Sequence, residues 1–116
     1  MFGRWRSRRA RPHPLVDIDP AQQARDIAAR TGIPQAQVTA VLDLEFERMV
    51  LQGIAEAPDH VFRHYPPDEQ ARIRRSRDLD VATVAEDAER LAGVPVEVAL
   101  RVLAEETEDL ARRGLI

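Results

Sequence analysis

The residues of this 116-residue chain best suited to chemistry are cations, and they come first. MFGRWRSRRAR sets Arg4, Arg6, Arg8, Arg9 and Arg11 around Trp5 with no acid among them. Guanidinium groups at that density neutralise phosphates, and an aromatic ring between them can enter a minor groove or stack on an exposed base. A second group is Gln35, Gln37 and Thr39, the amide and hydroxyl side chains of GIPQAQVTA. A third is His60 and His64, whose i, i+4 spacing would share a helical face, with Asp59 and Asp68 as further oxygen donors. Pro58, Pro66 and Pro67 argue against a helix there, and no HExxH order is present, so the sequence predicts no metal site. Tyr65 reads as packing. The chain has no Gly-rich phosphate loop, no Cys, and only Ser7 and Ser76 as serines, so it predicts no catalytic residue, no cofactor and no enzyme.

The elements that must position these groups are helical. A 44% apolar content at this length suffices for one modest core, which sets the expectation of a single domain. The absence of cysteine fits a reducing compartment, and no apolar run reaches the length of a membrane span, so the expectation is a cytoplasmic protein. All 17 basic residues are Arg, which with the Ala-rich text suggests a coding bias and lowers the weight of Arg counts alone. Their distribution says more. The arm carries +5, leaving 12 Arg against 20 acidic residues in the rest, a body of about −8.

A duplication organises that body. Residues 17–54 align without a gap on residues 78–115, with twelve of 38 positions identical, among them Asp19/Asp80, Asp26/Asp87, Gly32/Gly93, Pro34/Pro95, Val41/Val102, Leu42/Leu103, Glu45/Glu106 and Gly53/Gly114. In each copy an Asp stands where a first helix would be capped, at Asp19 with Pro20 behind it and at Asp80. Gln22 supplies a capping-box partner to Asp19, and Leu79 with Val84 has hydrophobic-staple spacing. Gly32 and Gly93 end the first helices, Pro34 and Pro95 open the second, and these run roughly 18 residues, about 27 Å, to Gly53 and Gly114. Val38, Leu42, Phe46, Met49 and Val50 fall on one face of the longer helix, and Val98, Val102, Leu103 and Leu110 on that of the second copy. Asp43, Glu45 and Glu47, and then Glu105, Glu106, Glu108 and Asp109, make both long helices acidic, with solvation the simplest reading of their faces.

The fold class expected is therefore all-α: two repeated helical hairpins packed as an intramolecular pseudo-dimer, with a disordered basic N-terminal arm. The boundaries are 1–16 for the flexible arm and 17–116 for the domain, divided into repeat 17–54, connector 55–77 and repeat 78–116. Within the connector a short helix should start at Pro67, its acids Asp68 and Glu69 first and its cations Arg72, Arg74, Arg75 and Arg77 last, an order that suits the helix macrodipole. Pro58 to Pro66 reads as an ordered loop.

The run DIAARTGIPQAQVTAVLD resembles the helix-turn-helix of the lac-repressor class of transcription regulators, with Ala28 at the small inward position, Gly32 at the turn, and Val38 and Val41 in the core. That resemblance implies that Gln35, Ala36, Thr39 and Ala40 face the groove. Extended through VLDLEFERMVLQGI, the same run is similar to the N-terminal helical hairpin of the HU and integration host factor nucleoid proteins, which mainly builds a dimer body. Their DNA-gripping β-arm has no counterpart here. In the second copy the groove positions are Val96, Glu97, Leu100 and Arg101, a poor match to phosphate. Two functions follow as expectations. One is a small nucleic-acid-associated regulator that holds DNA or RNA through the arm (Arg4, Trp5, Arg6, Arg8, Arg9, Arg11) and the first repeat (Gln35, Gln37, Thr39). The other is an adaptor whose acidic body binds a protein partner or a second copy of itself, without intrinsic DNA affinity. A membrane surface, with Phe2 and Trp5 at the interface, is the weaker reading.

Overall fold

Asp19 begins the first helix by turning its carboxylate onto the amides of Ala21 (3.0 Å) and Gln22 (3.3 Å), and Pro20, with no N–H of its own, leaves one fewer donor to satisfy at the helix start. In the computed structural model, which describes residues 4–5, 16–17, 19–76 and 79–115, that helix is α1, Pro20–Thr31. Gly32 stops it at φ 76°, a left-handed conformation that costs a glycine little, and its N–H closes on the Ala28 carbonyl at 2.9 Å. After Ile33 and Pro34 the chain re-enters a helix, α2, Gln35–Leu51.

The connector contributes α3, Pro67–Arg75, as its charge order predicts. A second hairpin follows: α4, Val81–Ala92, is capped by Asp80 on the Ala82 amide at 3.0 Å and ended by Gly93 at φ 69°, and α5 is Val96–Arg112. Each boundary of α4 and α5 lies 61 positions after its counterpart in α1 and α2. Within the hairpins α1 packs on α2 and α4 on α5; between them α2 packs on α4 and α5, and α1 on α5. Leu79 and Val84 both join the core, as the staple spacing predicts.

The core lies between the four long helices. Ile27, Val38, Val41, Leu44, Val84, Val102 and Leu103 are buried there with Tyr65 and Ile73 from the connector. Most of the expected core face is present, with Phe46, Val50 and Val98 only half-buried.

Three expectations need correction. Gln22 does not close a capping box: its amide donates to Asp26 at 2.8 Å and its oxygen accepts from Arg25, partners closer at hand on the same helix. The acidic residues are not all solvated, since Glu45, Glu47, Glu106 and Asp109 are buried with the core. Finally, the chain is not wholly helical. Arg4–Trp5 (β1) lies between Val16–Asp17 (β2) and Ala55–Glu56 (β3) in an antiparallel sheet of order β2-β1-β3, so at these residues the basic arm is backbone-paired to the start of the connector. The remaining arm cations, Arg6, Arg8, Arg9 and Arg11, lie outside the described residues, as does Arg77. No helix among the described residues is long and apolar enough to cross a membrane.

Candidate functional site

One buried carboxylate, Glu47, shapes a cleft among the described residues. Glu47 points off α2 beneath the connector and accepts the backbone N–H groups of Arg63 (2.7 Å), His64 (3.1 Å) and Tyr65 (3.4 Å). His60 Nε2 lies 3.2 Å from the same side chain and His64 Nδ1 3.7 Å. A carboxylate surrounded by donors can remain buried, because the hydrogen bonds replace its lost hydration. His60 also stands edge-on between Phe46, at 5.3 Å, and Phe62, at 5.0 Å between ring centroids. The two histidines of the sequence motif are thus brought together, but by a loop wrapped over a glutamate and not by a helix. Among the described residues no cluster of three or more metal-ligating side chains forms.

The loop held in this way walls a cleft of about 430 Å³ over the outward face of α2. Its floor comes from Gln35, Thr39, Leu42, Asp43 and Phe46, one side from Pro20, Ala21 and Gln23 at the start of α1, and the other from Asp59, His60, Val61 and Arg63. Val61 is 73% exposed at the rim. Of the polar residues singled out in the sequence, Gln35 and Thr39 border the cleft and are exposed, while half-buried Gln37 is not part of its lining. Asp43 is half-buried, and that burial pushes its carboxyl above the ordinary value against the opposing pull of His64 and Arg63. Deeper in, Glu106 meets Glu45, and burial together with the charge of that neighbour raises it well above an ordinary carboxyl.

Behind the cleft a polar network ties the connector to the second hairpin. Asp87 accepts from the Tyr65 hydroxyl at 2.7 Å, from Arg48 at 3.2 Å and from Arg90 at 3.0 Å. Arg90 also grips Glu69 with two bonds, of 3.0 Å and 2.6 Å, and holds that carboxyl below its usual range. Burial first, then the bond to Asp87, pushes the Tyr65 hydroxyl up, so it stays a donor.

What this surface offers a ligand is carboxylate oxygens beside apolar carbon, with the Arg63 guanidinium and the His60 ring on one wall. Asp43 and Asp59 stand next to Leu42, Phe46 and Val61, and Thr39 is the only hydroxyl-bearing residue of the lining. Sequence reasoning named Gln35 and Thr39 as groove residues and Asp59 and His60 as a weak metal motif in an ordered loop, but did not bring the two groups together across a cleft. The signal available was the bracket of Pro58 and Pro66 around the aromatic and imidazole side chains of DHVFRHY. Comparison with protein-family models, curated proteins and solved structures gives no match to the chain.

Proposed function

We propose that the protein is a non-enzymatic interaction module whose cleft receives a basic and apolar segment of a protein partner. One observation carries this reading: the connector, pinned by Glu47, folds over the part of α2 that follows Thr39 and lines the resulting cleft with Asp43, Asp59 and apolar side chains. A partially desolvated carboxylate such as Asp43 gains from an incoming guanidinium or ammonium, and the Leu42, Phe46 and Val61 surface gains from apolar burial. The same acids repel phosphate. The module is best read as a duplicated hairpin closed into an intramolecular pseudo-dimer, a reading supported by the constant 61-residue offset and by the reciprocal packing of α2 on α4 and α1 on α5.

A second reading, a nucleic-acid-associated regulator, is favoured by the exposure of Gln35, Ala36 and Thr39 at the start of α2, just past the Gly32 turn. One titration separates the two. Fluorescence anisotropy is measured with a labelled peptide of alternating Arg and Leu and with a labelled mixed-sequence DNA duplex, at low and physiological salt. The module reading expects peptide binding that weakens about tenfold in Asp43→Asn/Asp59→Asn, as loss of a paired charge would give, and no duplex binding. Duplex binding without peptide binding would sink it. In that case deletion of residues 1–11 should abolish most affinity, with a salt slope no steeper than about −5 for a five-Arg contact.

A further inference from the structure

The outward face of α5 is divided lengthwise. At 100° per residue Leu100, Ala104, Thr107 and Ala111 form one exposed stripe, and Glu97, Arg101, Glu108 and Arg112 form an exposed ridge beside it. Leu100, 39% exposed, is one of three large apolar side chains left on the surface among the described residues, and Val81 at the start of α4, 49% exposed, is another. The 61-residue correspondence explains why this face is bare. Val81, Leu100 and Thr107 match Pro20, Thr39 and Phe46, which in the first hairpin border the cleft walled by the connector. The second hairpin presents the same face with more apolar side chains and, among the described residues, no wall.

The ridge identifies what would cover it. Its charges alternate along the helix as minus, plus, minus, plus. A second α5 laid parallel, related by a two-fold axis along the helices, would put the two ridges on opposite sides of the contact and leave their charges unpaired. Laid antiparallel about a two-fold axis near Ala104, it sets Glu97 against Arg112 of the other copy and Arg101 against Glu108, then the same two pairs again by symmetry. The four pairs span about 22 Å of helix at 1.5 Å per residue. The charges are available for this. Arg101 and Arg112 have side chains 57% and 54% exposed and hold only long intrahelical contacts, 3.7 Å to Glu105 and 3.8 Å to Asp109. Glu97 and Glu108 are exposed and make no ion pair among the described residues.

We infer that the α5 face is a self-association surface, on which two copies of the chain dock antiparallel with Leu100, Ala104, Thr107 and Ala111 at the contact and the alternating ridge setting the register. Exposed ion pairs fix orientation more than affinity, and the stripe is narrow, so the dimer is weak, with a dissociation constant on the order of 100 μM. This surface is separate from the cleft on α2, and it stands or falls independently of what the cleft binds.

Sedimentation equilibrium of the full chain tests it. The wild type should pass from single to double mass as concentration rises through that range. Arg101→Glu/Arg112→Glu makes the ridge wholly acidic, and Glu97→Arg/Glu108→Arg makes it wholly basic. Each alone should dimerise at least about tenfold more weakly, as like charges face one another, and an equimolar mixture of the two should recover the double mass. Leu100→Gln, which leaves the ridge intact, should weaken the wild-type dimer as well. Circular dichroism of each variant establishes that it is folded. A wild type that keeps single mass up to about ten times the expected constant overturns the inference. So does an all-acidic variant that dimerises as the wild type does, or a mixture that stays monomeric.

Discussion

Glu45 of α2 and Glu106 of α5, 61 positions apart in the chain, are both buried inside the protein, where the charge of Glu45 bears on Glu106. Burial raises both groups, and Glu106 is raised further by the charge of Glu45 and of Asp109. Two like charges in a poorly solvated site cannot both ionise cheaply, so the folded protein gives up its protons here at higher pH than the unfolded chain does.

The sign of the pH dependence follows. Both folded pKa values lie above the ordinary 4.5. The contribution of the pair is therefore fully present below that value and is lost as pH rises through the folded pKa. Glu106→Gln keeps a hydrogen-bond donor without a charge. It should flatten this decline and stabilise the protein by about 1 kcal/mol at alkaline pH, an increase of ~4–8 °C in Tm for a domain of this size. Urea midpoints measured from about pH 5 to about pH 9 check it. A variant that loses stability with pH as steeply as the wild type would exclude the pair as the cause.

Glu47→Ala should cost about 3 kcal/mol, because it orphans the Arg63, His64 and Tyr65 amides that the carboxylate now satisfies. Glu47→Gln retains one acceptor oxygen and should fall between Ala and wild type. Amide hydrogen exchange gives the local readout, with residues 63–65 losing protection ahead of α1 and α4. Equal loss everywhere would mean that the glutamate does not act on the connector.

At Asp87 the expectation is a graded series. Tyr65→Phe removes one hydroxyl bond and should cost about 1–2 kcal/mol, while Asp87→Ala strands buried Arg48 and should cost about 3–5 kcal/mol. The double variant should be less destabilised than the sum, since the two side chains share one bond. Chemical denaturation of the four proteins closes the cycle.

Leu42→Ala and Leu103→Ala truncate matching positions in the two hairpins, both within the shared core. Each should cost about 2–5 kcal/mol and lower a single melting transition. Two resolved transitions in calorimetry would mean that the hairpins fold separately.

Much of the fold was legible because the residues that end helices announce themselves. Asp19, Gly32 and Pro34, and their counterparts Asp80, Gly93 and Pro95, are types whose backbone preferences differ sharply from their neighbours', and the helices begin and end on them. The site was half legible. Gln35 and Thr39 stand at a helix start, where a local pattern shows them. Glu47 could not be told from a solvated acid, because its partners are backbone N–H groups that every residue except proline carries. Two-residue strands such as β1 and β3 are too short to show an alternating pattern, so Arg4 and Trp5 gave no sign of pairing with Glu56 and Ala55.

The sheet also determines what light can report. The only tryptophan of the chain, Trp5, is carried on β1, paired at the backbone to Val16 and Ala55, while its only tyrosine, Tyr65, is buried in the core beside Asp87. The tryptophan is therefore a reporter carried by the N-terminal strand, and the tyrosine is one placed in the interior. A strand that detaches before the helices melt would split the two spectroscopic curves. Their separation along a denaturant axis would then gauge how firmly the N-terminus is attached, with no label added.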